Sequence, residues 1–160
     1  MKKRKIDVIH ILEYVIVCII LAYVIFLIVS RGGDAPAKEV RKAVLSVMKT
    51  DGMEKAGTQE FKRYYELNAK DYEDVTLYVP DGVMSVNELL IVRVKDDSQI
   101  ETVLNAAEER LATQKESFEG YGTDQTKLLN GAVLETRGQY VFMAVGKNAG
   151  KAYAAFCKSL

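Results

Sequence analysis

From Ile11 to Val29 the chain runs through 19 positions with one charged side chain, Glu13. A helix needs about 20 apolar residues to cross a hydrocarbon core, so residues 11–29 predict a transmembrane helix. Beyond it the apolar positions recur at shorter range, as they do in a folded domain.

Pro36 suits a first helical turn, and Val40, Val44, Val47 and Met48 then follow at helical spacing until Asp51-Gly52. Phe61, Tyr64 and Tyr65 share one side of a second helix, with Asn68 as its expected left-handed stop. These aromatics read as core. Val75, Leu77 and Val79 alternate with polar neighbours, and Pro80-Asp81-Gly82 turns the chain. Leu89 to Val94 is a denser strand, apolar on both faces, and belongs in the middle of a sheet.

Ser98 and Glu101 have capping-box spacing at the head of the longest helix in this region. Its stripe holds Ile100, Val103, Leu104, Ala107, Leu111 and Phe118, and Gly120-Tyr121-Gly122 stops it. A short helix carrying Leu128 and Leu129 ends at Asn130-Gly131. Strands at Ala132–Arg137 and Gln139–Val145 meet in a hairpin at Gly138. Asn148 opens a last helix burying Ala149, Ala152, Tyr153 and Phe156. After the span the predicted order is α-α-β-β-α-α-β-β-α, an α+β fold with a four-stranded, mainly antiparallel sheet packed with helices.

The predicted organisation is a basic cytoplasmic tail (1–10), a transmembrane helix (11–29), a linker and helix start (30–39) and an extracytoplasmic domain (40–158). Lys2, Lys3, Arg4 and Lys5 precede the span, so the basic end is expected in the cytoplasm and the domain outside. Ala35-Pro36-Ala37 has the form of a signal-peptidase site, which leaves cleavage after Ala37 as the alternative to a retained anchor. The long uncharged core favours the anchor. Cys18 lies mid-span after Val17, where it cannot serve as a lipid-attachment cysteine.

Formal net charge is zero, and setting aside the N-terminal cations leaves the remainder slightly acidic. Such a domain lacks the basic field that attracts phosphate backbones, so nucleic acid is not an expected partner. The two cysteines, Cys18 and Cys157, belong to different phases and should not pair.

The single histidine of the sequence, His10, precedes the span. A Ser-His-Asp or Cys-His arrangement, or a histidine zinc site, is therefore not expected in the domain. No catalytic residue, metal or cofactor is assigned. Gly120-Tyr121-Gly122 follows a helix where a dinucleotide loop needs a strand. Gly146 to Lys151 has a better context but is one residue short of a phosphate loop, and Ala152 stands where a hydroxyl is needed. Glu88, Glu109, Glu119 and Glu135 leave a two-carboxylate hydrolase open.

Four ordered blocks carry a resemblance: Asp74-Val-Thr-Leu-Tyr-Val-Pro80, Asn87-Glu-Leu-Leu-Ile-Val-Arg-Val94, Glu109-Arg-Leu-Ala-Thr-Gln114-Lys-Glu-Ser-Phe118-Glu-Gly-Tyr121, and Gly138-Gln-Tyr-Val-Phe142. Together, over residues 40–158, they resemble a domain family of unknown function found in anchored or lipid-modified envelope proteins of clostridia and related Firmicutes. That resemblance implies an extracytoplasmic address and no activity. Arg110, Gln114 and Tyr121 lie in its most distinctive block, which reads as a buried polar tie between helix and sheet or as a partner-binding edge.

The expected function is a membrane-anchored, non-enzymatic binding or structural module of the cell envelope. Its expected contacts are the lipid bilayer through residues 11–29 and an envelope protein or cell-wall component. A carboxylate-dependent cell-wall hydrolase and a sensor subunit with a membrane partner are the alternatives.

Overall fold

The computed structural model describes residues 8–30 and 35–160, with side chains described for residues 13–24 and 35–160. The chain divides into two compact units, Met1–Gly32 and Gly33–Leu160. The first contains helix α1, Val8–Ser30, and the described side chains from Glu13 to Val24 are all exposed. Among the described residues no helix is long and apolar enough to cross a membrane. The predicted span at residues 11–29, the His10 side chain and the basic tail lie wholly or partly outside those residues.

The second unit is α+β with a five-stranded sheet, one strand more than predicted. Its elements are α2 (Ala37–Leu45), β1 (Met53–Ala56), α3 (Thr58–Tyr65), β2 (Asp74–Pro80), β3 (Glu88–Arg93), α4 (Ile100–Phe118), α5 (Thr123–Asn130), β4 (Val133–Arg137), β5 (Tyr140–Val145) and α6 (Ala149–Ser159). Strand order is β1-β2-β3-β5-β4, and every pairing is antiparallel. The additional strand is β1, whose Ala56 lies opposite Leu77 and whose Met53 lies opposite Pro80. Exposed Glu54 and Lys55 fill its middle, so no apolar alternation announces it. Charge on an edge strand of this kind discourages pairing with another chain.

Leu89 to Val92 are buried on both faces of β3, which occupies the centre of the sheet as predicted. Alternation sends Leu90 and Val92 toward Phe61, Tyr65, Val103 and Ala107 of α3 and α4. Leu89 and Ile91 point the other way, with Phe142, against Val40, Val44 and Phe156 of α2 and α6. The result is a sheet between two helical layers. Phe142 and Phe156 stack with ring centroids 4.8 Å apart, and Tyr140 meets Phe156 edge-on at 6.0 Å.

Several boundaries differ from the sequence reading, each for a local hydrogen-bonding reason. Helix α2 ends at Leu45 and relaxes into a turn that leaves Val47 exposed while Met48 stays buried. The left-handed residue after α3 is Glu66, φ 57°, and Asn68 instead caps a short 3₁₀ turn by accepting from the Lys70 N–H at 3.2 Å. The helical run into α4 starts earlier than Ser98-Glu101 implies. Asp96 accepts from the Ser98 N–H at 2.9 Å, and Gln99 accepts from the Lys95 N–H at 3.0 Å.

Phe142 contacts both Phe156 and Tyr153 and is fully buried. Phe142→Ala is expected to lower the unfolding free energy by about 3–5 kcal/mol, read from urea denaturation at unchanged slope. A loss under about 1 kcal/mol would mean that this helical layer is not packed as described.

Candidate functional site

Glu88 opens β3 in the same phase as Leu90 and Val92, so its side chain enters the layer beneath α3 and α4. It is completely buried. A carboxylate in that position is tolerated only with a counter-charge and several donors. The Tyr65 hydroxyl, at the end of α3, donates to Glu88 Oε1. From α4, Arg110 donates through Nη2 to Oε2 at 2.9 Å and through Nε to both oxygens at 3.2 and 3.3 Å. Gln114, one turn further on, donates from Nε2 to Oε2 at 2.7 Å.

The spacing of four between Arg110 and Gln114 places both on the helix face above the strand. Arg110 also lies over the Tyr64 ring, 4.4 Å from its centroid, so its guanidinium is held by stacking as well as by the carboxylate. Burial pushes the Tyr65 hydroxyl well above its ordinary pKa, and the neighbouring Glu88 charge pushes it the same way against the smaller opposing effect of Arg110. For Arg110, burial disfavours the cation, but the Glu88 hydrogen bonds and charge outweigh it and the pKa rises.

Gln114 has a further consequence. A carboxylate only accepts hydrogen bonds, so Gln114 must offer its NH₂ to Glu88, and this fixes which end of the amide is which. Its Oε1 is buried without a hydrogen-bond partner among the described residues. Beside it lies a cleft of ≈ 370 Å³ between α4 and the β2–β3 loop, with Tyr64, Pro80, Val83, Arg110, Gln114 and Phe118 in its walls. A recess of ≈ 230 Å³ lies where Arg110 and Tyr64 also meet Arg63, Glu66 and Glu109.

Arg110 and Gln114, singled out from sequence, therefore come together on one buried carboxylate. Tyr121 does not line the cleft. It is largely exposed, its hydroxyl donates to the Ser117 carbonyl, and its ring lies 5.8 Å from that of Phe118. Two members were not read as part of a site: Tyr65, assigned to the core, and Glu88, named only as one acid among four. The signal was available in the phase of Glu88, which matches the buried positions of its strand. Glu109, Glu119 and Glu135 are exposed.

The glycine-rich loop at Gly146 occupies the same end of the sheet. Gly146 has φ 148°, and a Cβ there would come within 3.1 Å of Asn87 Oδ1. The loop borders a ≈ 330 Å³ cavity with Lys49, Asn87 and Lys147. Among the described residues no three His, Cys, Asp or Glu side chains are grouped to hold a metal ion.

A family model described as a domain of unknown function, DUF4358, matches residues 46–146, which include every residue of the Glu88 network. No curated protein and no solved structure matches the chain.

The Tyr65 environment gives a pH test. An unfolded tyrosine ionises near pH 10 while the folded hydroxyl keeps its proton to higher pH, so this contribution is complete below about pH 10 and is lost above it. Tyr65→Phe should therefore make the alkaline decline of unfolding free energy shallower than in the parent chain. Equal slopes above pH 10 would contradict the assignment.

Proposed function

The chain belongs to the DUF4358 family, and from that premise we propose that it is a membrane-anchored, non-enzymatic binding module of the cell envelope. The cleft beside Arg110 and Gln114 carries this reading. Its polar groups are immobilised from beneath by Glu88, so a ligand meets an orientation already set.

The sequence of residues 11–29 supports the anchor. Its 19 positions, with one charged side chain, come close to the about 20 apolar residues that crossing a hydrocarbon core requires. The cations before it favour a cytoplasmic N-terminus. Retention of the segment is supported by Ala35, whose carbonyl accepts from the Tyr140 hydroxyl at 2.6 Å, and by Pro36, whose carbonyl accepts from Glu39 and Val40 in the first turn of α2. Cleavage after Ala37 would remove both from the fold.

The hydrolase reading needs two working carboxylates. Glu88 commits its oxygens to Tyr65, Arg110 and Gln114, which leaves Asp81 as the carboxylate at the cleft. That arrangement favours binding over acid–base chemistry.

A photoreactive amino acid at Val83, which is 94% exposed at the cleft mouth, tests the proposal in intact cells expressing the full chain. Irradiation should yield one reproducible adduct with an envelope protein or cell-wall component, absent when the probe is placed at Glu135. Adducts confined to cytoplasmic proteins, or none above the Glu135 control, would overturn it.

A further inference from the structure

We propose that the cleft between α4 and the β2–β3 loop takes a short extended peptide segment bearing a cationic side chain, an inference that rests on the binding-module reading. Three observations define the ligand.

The first is the pairing of a fixed acceptor with a free donor. Gln114 Oε1 has no partner among the described residues, and its direction is set by the Glu88 carboxylate on the other side of the amide. Arg110 commits Nε and Nη2 to Glu88 and leaves its Nη1 hydrogens available. A peptide unit supplies the complementary groups, an N–H for Gln114 and a carbonyl for Arg110.

Charge is the second. Arg110 is neutralised by Glu88, so the cleft has little attraction for anions, while the exposed Asp81 in its wall forms no ion pair with any described residue. A cationic group on the ligand is favoured there.

The third is the lip. Val83 and Met84 are exposed apolar residues on a short loop that is nonetheless anchored. The Asp81 N–H donates to the Gly52 carbonyl at 3.2 Å, and Gln125 Nε2 donates to the Met84 carbonyl at 2.9 Å. Val83 faces the same cleft as Phe118, which gives the aliphatic part of a side chain two apolar surfaces. A pre-formed cleft with apolar walls and a few placed polar groups is the usual form of a small binding site.

The test uses the full chain, isotope-labelled in detergent micelles, titrated to millimolar concentration with the capped tripeptide acetyl-Ala-Lys-Ala-amide. Saturable NMR shifts should centre on Val83, Thr113, Gln114 and Ser117. The same peptide methylated on its backbone nitrogens should bind about tenfold more weakly, the loss of one hydrogen bond. The glutamate analogue should also bind more weakly, and Asp81→Asn should erase the difference between the lysine and glutamate peptides. Shifts elsewhere, no shifts, or binding indifferent to both methylation and charge would overturn the proposal. If the Val83 probe still captures an envelope component while no peptide binds, the peptide inference fails and the binding-module reading stands. Failure of both removes that reading as well.

Discussion

Moving the Glu88 carboxylate out of water carries a desolvation cost of several kcal/mol, and the arrangement of this end of the domain follows from how that cost is met. The strand that presents Glu88 is the middle one of five, so the carboxylate cannot turn toward solvent without disrupting the sheet. Tyr65, Arg110 and Gln114 come from two helices that also pack on the sheet through apolar side chains. The network therefore does what non-directional packing cannot do. It fixes the rotation of α4 and the height of the α3 terminus relative to the strand. Whether such a pair adds net stability over an apolar equivalent is secondary, because its main effect is to select one arrangement.

Function is proposed to follow from the same constraint. Arg110 is held by Glu88 on one side and by the Tyr64 ring on another, and Gln114 is held by its NH₂. Both residues also line a cleft whose opposite wall is formed by the β2–β3 loop. Little side-chain freedom remains to be lost on binding, which is the condition under which a small site can achieve useful affinity. In the proposed reading the chemistry is that of recognition, since Glu88 has its lone pairs engaged and a guanidinium is a poor proton donor at neutral pH.

Much of the architecture was legible because apolar periodicity reports burial. The alternation of Val75, Leu77 and Val79, the continuous run from Leu89 to Val92, and the stripe on α4 each marked its element and its buried face. Strand β1 was not legible, since an edge strand of four residues with Glu54 and Lys55 at its centre has no pattern to read. The ends of α3 and α4 were misplaced because capping depends on which of several neighbouring polar groups reaches the backbone. Asn68 and Ser98 were chemically suitable and locally outcompeted by Glu66 and Asp96. Of the site, Arg110 and Gln114 were visible as polar residues beside an apolar stripe. Their shared partner was not, because Glu88 lies more than twenty residues away and pairing across that distance is a property of the fold.

The central claim is that Glu88 and Arg110 act as one buried unit on which the helical layer is set. A double-mutant cycle with Glu88→Met, Arg110→Met and both together, followed by urea denaturation, measures it directly. Each single substitution should cost about 3–5 kcal/mol by leaving the other partner buried and uncompensated. The double variant should lose less than the sum of the two by more than about 1 kcal/mol. Additivity within about 0.5 kcal/mol would contradict the account, because it would mean that the two residues stabilise the domain independently.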